Sequence, residues 1–172
     1  HKICSINDVI LPGPHNIENI LAAAMATYLV GANTKEIRET VTSYEGLSSR
    51  LEFVRDVEGV KYYEDSSACN PDGTRMAIKS FSNPLILIAG GSRQKKTPGE
   101  YQALAEDIAS SKVKTLLLIG QEAAEIEEVV RKENQKQKVR RMLVKKCVNL
   151  PEAVSNASTI ADSGDIVVLS PG

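Results

Sequence analysis

The sequence predicts a doubly wound α/β domain with a mostly parallel sheet, preceded by a short helical segment. In the second half of the chain, short apolar runs alternate with helical stretches, as in parallel sheets that are covered on both faces. The predicted strands are 85–89, 113–119, 139–144 and 166–169, and the predicted helices lie near 98–110, 121–133 and 150–162. Because ligands of such sheets bind at the carboxyl ends of the strands, the site is expected in loops 65–70, 90–96 and 170–172.

The first half of the chain predicts two helices. The turn at Pro12-Gly13-Pro14 is followed by apolar residues at helical spacing over residues 16–30, and Gly31 ends that helix. Asn33 with Glu36 three residues later is typical of a capped helix start, which predicts a second helix to about Tyr44.

A hairpin and a third helix are predicted next. Apolar and polar residues alternate over 51–57, and Glu58-Gly59 can turn the chain into a second strand over 60–64. Asn70-Pro71 combines a capping side chain with proline at the first helical position, which predicts a helix reaching Phe81. We place the boundary between the helical segment, residues 1–45, and the α/β domain, residues 46–172.

Composition excludes several classes of protein. The chain has 172 residues, a formal net charge of −1, 4% aromatic residues and no Trp, which argues against a nucleic-acid partner. Cys4, Cys69 and Cys147 are odd in number and widely spaced, which argues against a disulfide framework and a metal site. Apolar runs fall short of the ~20 residues of a membrane span, and no secretory signal opens the sequence. We therefore expect a cytoplasmic protein without a membrane partner.

The loop after the predicted hairpin is dense in chemistry-bearing groups. Asp65, two serines and Cys69 precede the start of a helix, and such a loop could bind a substrate or a nucleotide ribose. Alternatively, Asn70 caps the helix and Asp65 accepts hydrogen bonds from loop amides. Cys69 is disfavoured as a covalent nucleophile because the strand order places neither of the two histidines near it. The loop thus remains open to both readings.

The loop after the predicted strand 85–89 is rich in glycine and cations. Its sequence, Gly90-Gly91-Ser92-Arg93-Gln94-Lys95-Lys96, could present backbone N–H groups and positive charge to a phosphate or a carboxylate. It matches neither of the common glycine-rich nucleotide motifs. A polar surface turn is the alternative.

Two further features could contact a nucleotide. Asn16 and Asn19 lie three residues apart on one helical face, and asparagine side chains pair well with a purine edge, although a capping role is the alternative. Arg50 precedes the hairpin, and its guanidinium fork suits a phosphate, although a lone arginine is usually a solvated charge.

Five stretches, in this order and spacing, resemble the Mur ligase family. They are 11–19 (LPGPHNIEN, followed by three alanines at 22–24), 46–54 (GLSSRLEFV), 64–71 (EDSSACNP), 88–91 (IAGG) and 164–171 (GDIVVLSP). Each string is weak alone, but the ordered set covers nearly the whole chain. Within the family, the Gly-Gly and Leu-Ser-Pro elements favour the branch that adds D-glutamate.

The resemblance implies part of an ATP-dependent ligase of peptidoglycan synthesis. In that family ATP with Mg²⁺ phosphorylates a substrate carboxylate, here that of UDP-N-acetylmuramoyl-L-alanine, and the amine of D-glutamate attacks the acyl phosphate. Residues 1–45 would be the tail of the central ATP-binding domain, and 46–172 the C-terminal, amino-acid-binding domain. The rest of the central domain and the N-terminal domain would hold most of the Mg²⁺ ligands, so residues 1–172 are expected to be inactive alone.

The family's functional residues carry over by motif position. The resemblance assigns adenine contacts to Asn16 and Asn19, the phosphates to Arg50, and the nucleotide ribose or phosphates to Asp65. It assigns the substrate-binding positions to Ser67, Cys69, Arg93 and Lys95. It assigns no catalytic residue and no metal ligand in this chain.

The chain departs from the family pattern at Ser67 and Cys69, and also after Gly90-Gly91, where Arg93-Gln94-Lys95 shifts the positive charges by one position. Where the family shows Asp-Ser-Lys-Ala-Thr-Asn, Ser67 replaces the lysine and Cys69 replaces the threonine. These departures motivate two alternatives: a non-catalytic α/β binding module descended from a Mur ligase, and a ligase of the Mur or folylpolyglutamate type with another substrate.

Overall fold

A computed structural model describes residues 2–92, 99–137 and 142–172. The chain divides into two compact units, His1–Leu47 and Ser48–Gly172. The unit boundary lies two residues from the boundary expected from the sequence. The origin of residues 1–45 in an ATP-binding domain stays a prediction.

The first unit is helical. A 3-10 turn at Ile6–Asp8 is followed by α1, Pro14–Leu29, and α2, Thr34–Ser43. Gly31, with a φ of +104°, ends α1 in a conformation that suits glycine. Asn33 caps α2 as expected, because its side chain accepts two backbone N–H groups while Glu36 accepts the N–H of Asn33. Both predicted helices are confirmed.

The second unit contains one six-stranded sheet in the order β1-β2-β6-β3-β4-β5. The strands are β1, Glu52–Val57; β2, Val60–Glu64; β3, Leu85–Ala89; β4, Val113–Leu118; β5, Leu143–Lys146; and β6, Ile166–Leu169. Among the described residues, the β1–β2 hairpin is the one antiparallel pair, and the other neighbouring strands are parallel. The strand nearest the end of the sequence, β6, therefore lies inside the sheet, between β2 and β3.

Helices cover both faces of this sheet. They are α3, Pro71–Lys79; α4, Gln102–Ser110; α5, Ala123–Gln137; and α6, Leu150–Ile160. Helices α3, α4 and α5 pack on one face together with Leu85 and Leu87, whereas α6 packs on the other face with Ile86 and Ile88. Since successive side chains of a strand point to opposite faces, β3 supplies both cores and reads as an unbroken apolar run. The doubly wound α/β fold is confirmed.

An ion-pair cluster joins α3 to α4. Arg75 Nε and Lys79 Nζ lie 2.6 Å and 2.9 Å from the same Asp107 oxygen. Burial of Asp107 alone would raise the pKa of its carboxyl, but the hydrogen bonds donated by Lys79 and Arg75 outweigh burial and hold the pKa below its ordinary value. The cluster stabilises the helical layer when the carboxyl is charged.

One predicted strand is displaced. The prediction at 139–144 was wrong at its carboxyl end, because β5 continues through Lys145 to Lys146; residues 138–141 lie outside the described residues. The cause is that β5 forms an edge of the sheet, where Leu143 is 50% exposed and both lysines are exposed. An edge strand buries too little surface to need an apolar run, so hydrophobicity does not mark its bounds.

Candidate functional site

The loops after β2, β3 and β6 meet at one edge of the sheet. Glu64 and Ile88, at the ends of β2 and β3, both pair with Leu169 of β6. Since all three strands are parallel, their carboxyl ends lie at the same level, with one strand between the two outer loops. This edge is the position that the sequence predicts for the site.

Segment 170–172, which follows β6, ties the two outer loops together. The N–H of Gly90 donates to the carbonyl of Pro171 at 2.8 Å, and the N–H of Gly172 donates to the carbonyl of Ala68 at 3.1 Å. The N–H of Ser170 in turn donates to Ile88 at 3.0 Å. Segment 170–172 therefore fixes the loops after β2 and β3 relative to each other through backbone hydrogen bonds.

Asp65 is buried beneath this edge, with 7% of its surface exposed. One carboxylate oxygen accepts a hydrogen bond from Ser170 Oγ at 2.7 Å, and the other accepts from the N–H of Leu51 at 3.2 Å. Ser170 Oγ also lies 3.1 Å from Thr74 Oγ1, and Thr74 Oγ1 donates to the Ser170 carbonyl at 3.2 Å. Any ligand would share the Asp65 oxygens with these partners, so the predicted nucleotide contact of Asp65 stays a prediction.

The turn of residues 48–51, the Arg50 turn, is held in an unusual backbone conformation. Ser49 and Leu51, on either side of Arg50, have φ values of +63° and +47°. For a residue other than glycine, this left-handed conformation costs about 1–3 kcal/mol and persists only where surrounding contacts enforce it. Such positions cluster at functional sites. Arg50 is exposed, and its side chain forms no hydrogen bond or ion pair with the described residues. Arg50 is thus an available cation at the edge where the loops meet.

Glu64, the last residue of β2, supports the neighbouring loop. Its carboxylate accepts the N–H of Ser66 at 2.6 Å. Burial raises the pKa of the Glu64 carboxyl, but hydrogen bonds from Ser66 and Ser49 more than offset it, and the pKa lies below its ordinary value. Glu64 is therefore a charged acceptor that joins the Arg50 turn to the loop after β2.

Two of the four predicted substrate-binding residues lie on that loop. Ser67 and Cys69 are both exposed, and the N–H of Ser67 donates to the carbonyl of Ser49 at 3.0 Å. Ala68 between them is buried at 8% exposure, so the loop is anchored at its centre with its polar groups outward. The predicted roles of Arg93 and Lys95 lie outside the described residues.

Gly90 permits a close approach between the ends of β3 and β4. Its φ is +96°, and a Cβ added there would lie 2.3 Å from the carbonyl oxygen of Ile119. The Gly91 carbonyl accepts the N–H groups of Gln121 and Glu122 at 2.8 Å and 3.2 Å. The Gly-Gly pair thus packs the end of β3 against the residues directly before α5, in addition to any ligand contact.

The predicted adenine contacts lie in the other unit. Asn16 is half-buried and donates from Nδ2 to the carbonyl of Pro12 at 2.7 Å, whereas Asn19 is exposed one turn later on α1. The hydrogen bond orients the Asn16 amide at the start of the helix. The role of both asparagines stays a prediction.

Sequence reasoning missed Thr74, Glu52 and the unusual conformation of the Arg50 turn. Thr74 is fully buried one turn into α3, and a polar residue on an otherwise apolar helical face was the available signal. Glu52 accepts hydrogen bonds from Ser48 and Ser49, a local pattern that a carboxylate a few residues after a serine pair can suggest.

The described residues hold neither a cluster of metal-binding side chains nor a membrane-spanning helix. In 2–92, 99–137 and 142–172, no three His, Cys, Asp or Glu side chains are grouped so as to hold a metal ion. No helix within these ranges combines the length and apolar character needed to cross a membrane.

Comparison with known proteins identifies relatives over nearly all of the sequence. A UDP-N-acetylmuramoylalanine–D-glutamate ligase from Acetivibrio thermocellus is 44% identical over 171 residues, covering 99% of this chain and 36% of that protein. The ligase of the same name from Clostridium kluyveri is 40% identical over 170 residues, covering 99% of this chain and 36% of that protein. The chain therefore spans about a third of the length of these relatives.

Solved structures show the same fold. A UDP-N-acetylmuramate–alanine ligase from Thermotoga maritima superposes with a TM-score of 0.70 at 14% identity, covering 95% of this chain and 36% of that chain. A second ligase from Thermotoga maritima, solved in complex with ADP, gives a TM-score of 0.66 at 12% identity, covering 93% of this chain and 35% of that chain. Residues 49–172 match the family described as Mur ligase, glutamate ligase domain. With its sheet order, its loops and this match, the chain belongs to the Mur ligase family.

Proposed function

We propose that the chain is the C-terminal part of an ATP-dependent ligase that adds D-glutamate to UDP-N-acetylmuramoyl-L-alanine in cytoplasmic peptidoglycan synthesis. The curated relatives carry the name of that ligase. The complete activity would belong to a protein of the relatives' length. In that protein residues 1–45 form the tail of the central ATP-binding domain, and residues 46–172 form the amino-acid-binding domain.

The proposal rests on Arg50, an exposed cation at the edge of the sheet where the loops after β2, β3 and β6 meet. In the proposed reaction a carboxylate oxygen of UDP-N-acetylmuramoyl-L-alanine attacks the γ-phosphorus of ATP, which releases ADP and forms an acyl phosphate. The amine of D-glutamate then attacks the acyl carbon, and the amide bond forms as the C–O bond to phosphate breaks and the amine loses a proton. Both steps depend on positioned reactants and neutralised phosphate charge. The guanidinium of Arg50 supplies such charge with a geometry that suits phosphate oxygens.

The remaining roles in this proposal are those that the family resemblance implies. Asn16 and Asn19 contact adenine, and Asp65 contacts the ribose or phosphates while it holds Ser170. The substrate side is formed by the predicted residues Ser67, Cys69, Arg93 and Lys95. Mg²⁺ supplies phosphate charge neutralisation when bound, and we assign its ligands mainly to the domains that precede this chain.

The reaction is tested with the longer protein that contains this sequence. We expect ADP release that requires both UDP-N-acetylmuramoyl-L-alanine and D-glutamate, and much less with L-glutamate. Arg50→Ala should raise the KM for ATP or lower kcat by roughly 10- to 100-fold, the equivalent of losing a charge-assisted hydrogen bond. Arg55→Ala is the matched control, since Arg55 is exposed on the edge strand β1. Equal rates with the two glutamate enantiomers, or no dependent ADP release, would contradict the proposal.

The exposed Ser67 and Cys69 favour testing a second candidate, a binding module without catalysis. Ser67→Lys restores the cation of the family pattern. A ligase should gain rate from this substitution, whereas a pure binding module should show nucleotide binding with no turnover in either form. A panel of amino acids and of folate-type acceptors distinguishes the third possibility, a ligase with another substrate.

A further inference from the structure

The Arg50 turn fixes the direction in which the Arg50 side chain leaves the backbone. A residue between two left-handed neighbours has little freedom of backbone direction as long as both neighbours stay in place. Ser49 and Leu51 are such neighbours, and neither is glycine. The conformation is therefore maintained by contacts and not by intrinsic preference.

Contacts hold both sides of the turn. On one side Glu52 Oε2 accepts the Ser49 N–H at 2.8 Å and the Ser48 hydroxyl at 2.9 Å. On the other side the Leu51 N–H donates to Asp65 Oδ1 at 3.2 Å, and the Leu51 side chain is buried in the larger core at 6% exposure. These contacts all restrain the backbone and leave the guanidinium of Arg50 exposed.

The carboxylate of Glu52 lies where hairpin stability alone would disfavour it. Glu52 pairs directly with Glu64 across the antiparallel β1–β2 ladder. Like charges directly opposite each other destabilise a strand pair. The hydrogen bonds from the Arg50 turn to Glu52, and from Ser66 to Glu64, offset that cost. A neutral residue at position 52 would serve the hairpin at least as well, so the charge is explained by the turn.

We propose that Glu52 is a positioning residue that holds the Arg50 turn in its left-handed conformation and so presents the Arg50 guanidinium to the phosphates of ATP. This inference rests on the proposed function. When Glu52 is removed, the turn relaxes into less strained conformations in which Arg50 points elsewhere. Apparent nucleotide affinity then falls in proportion to the fraction of molecules that keep the competent turn.

The hairpin contains a matched control at its other end. Asp56 Oδ1 accepts the N–H of Gly59 at 2.9 Å, and the intervening Glu58 has a φ of +55°. This turn therefore also combines a carboxylate acceptor with a left-handed residue other than glycine. It joins β1 to β2 at the end opposite the candidate site, so Asp56→Asn perturbs the same hairpin without touching the Arg50 turn.

The experiment measures kcat and KM for ATP in the longer ligase that contains this chain. If one turn conformation in about ten stays competent, Glu52→Ala raises the KM for ATP about tenfold with little change in kcat at saturation. Glu52→Gln keeps an acceptor but loses charge, and should raise KM by a smaller factor while leaving thermal stability equal to or above wild type. Asp56→Asn should leave KM unchanged even if it lowers stability. A merely structural role would not raise the KM of Glu52→Gln while its thermal stability stays equal or increases.

A double-mutant cycle with Arg50 decides whether Glu52 acts through the arginine. In an Arg50→Ala background, Glu52→Ala should cause no further rise in KM, because no guanidinium remains to be positioned. A full tenfold effect in that background, or an unchanged KM in the single variant, overturns the inference. If the wild-type protein shows no ATP-dependent ligation, the proposed function itself is refuted. If the wild type is active and Glu52→Ala leaves the KM for ATP unchanged, only the positioning role of Glu52 is refuted.

Discussion

Replacing Gly90 by alanine tests whether the carboxyl edge of the sheet depends on the close approach of β3 and β4. Gly164 has nearly the same φ, +94° against +96°, but a Cβ added to it meets nothing within 4 Å. Alanine in this region costs about 1–3 kcal/mol at either position. At Gly90 the new methyl would also lie 2.3 Å from the Ile119 carbonyl oxygen, so the backbone there must shift by about an ångström to restore ordinary contact.

That shift strains two hydrogen bonds. The Gly90 N–H donates to Pro171 at 2.8 Å, and the Ile119 N–H donates to Ala89 at 3.0 Å. At about 0.5–1.5 kcal/mol each, their loss adds about 1–3 kcal/mol. We therefore expect Gly90→Ala to destabilise the fold by about 2 kcal/mol more than Gly164→Ala, a separation of about 1 M in urea midpoint for an m-value near 2 kcal/mol/M.

Urea unfolding of the two variants, followed by far-ultraviolet circular dichroism, measures this difference. Equal m-values would show that both variants expose the same surface area on unfolding. Equal midpoints would refute the reasoning, because they would mean that backbone conformation accounts for the whole requirement for glycine at position 90. A larger loss in Gly164→Ala would refute it as well.

Three further predictions concern buried or exposed polar groups. Ser170→Ala removes a donor to the buried Asp65 carboxylate and should cost about 1–3 kcal/mol in urea unfolding. Asp107, whose folded pKa is lowered, contributes stability that is present above its unfolded pKa of about 4 and lost as pH falls through the folded value. Asp107→Asn should thus flatten the stability profile below about pH 4. Cys69 is exposed and Cys147 is buried, so brief alkylation mapped by mass spectrometry should label Cys69 before Cys147.

The interior of the fold follows from the sequence because burial leaves a clear mark there. Strands β3 and β6 occur at the predicted residues, Leu85–Ala89 and Ile166–Leu169, since a strand buried on both faces is apolar throughout. The edge strand β5 was placed incorrectly because exposure removes that mark. A helix start is predicted as accurately as an inner strand when a capping side chain specifies that start, as Asn33 does for α2.

The place where the loops of the candidate site meet follows from topology, whereas the hydrogen bonds within it do not. Parallel strands place their following loops at one edge, so the loops after β2, β3 and β6 could be named in advance. The hydrogen bond from Ser170 to Asp65 joins residues 105 positions apart and depends on β6 entering the sheet beside β2. The left-handed conformations of Ser49 and Leu51 run against their intrinsic preferences, so no local rule predicts them.

The position of β6 connects the fold to the proposed chemistry. Strand β6 is the last strand in the sequence, yet it supplies the pairing partner of both β2 and β3. Without it the hairpin would not join the rest of the sheet, and the loops after β2 and β3 would lose the hydrogen bonds from segment 170–172. Assembly of this edge therefore requires contacts between distant parts of the chain, and each such contact must offset the entropy of closing a long loop. Ser170 therefore couples the pairing of β2, β6 and β3 to the position of the Asp65 carboxylate, and through Asp65 to the turn that carries Arg50.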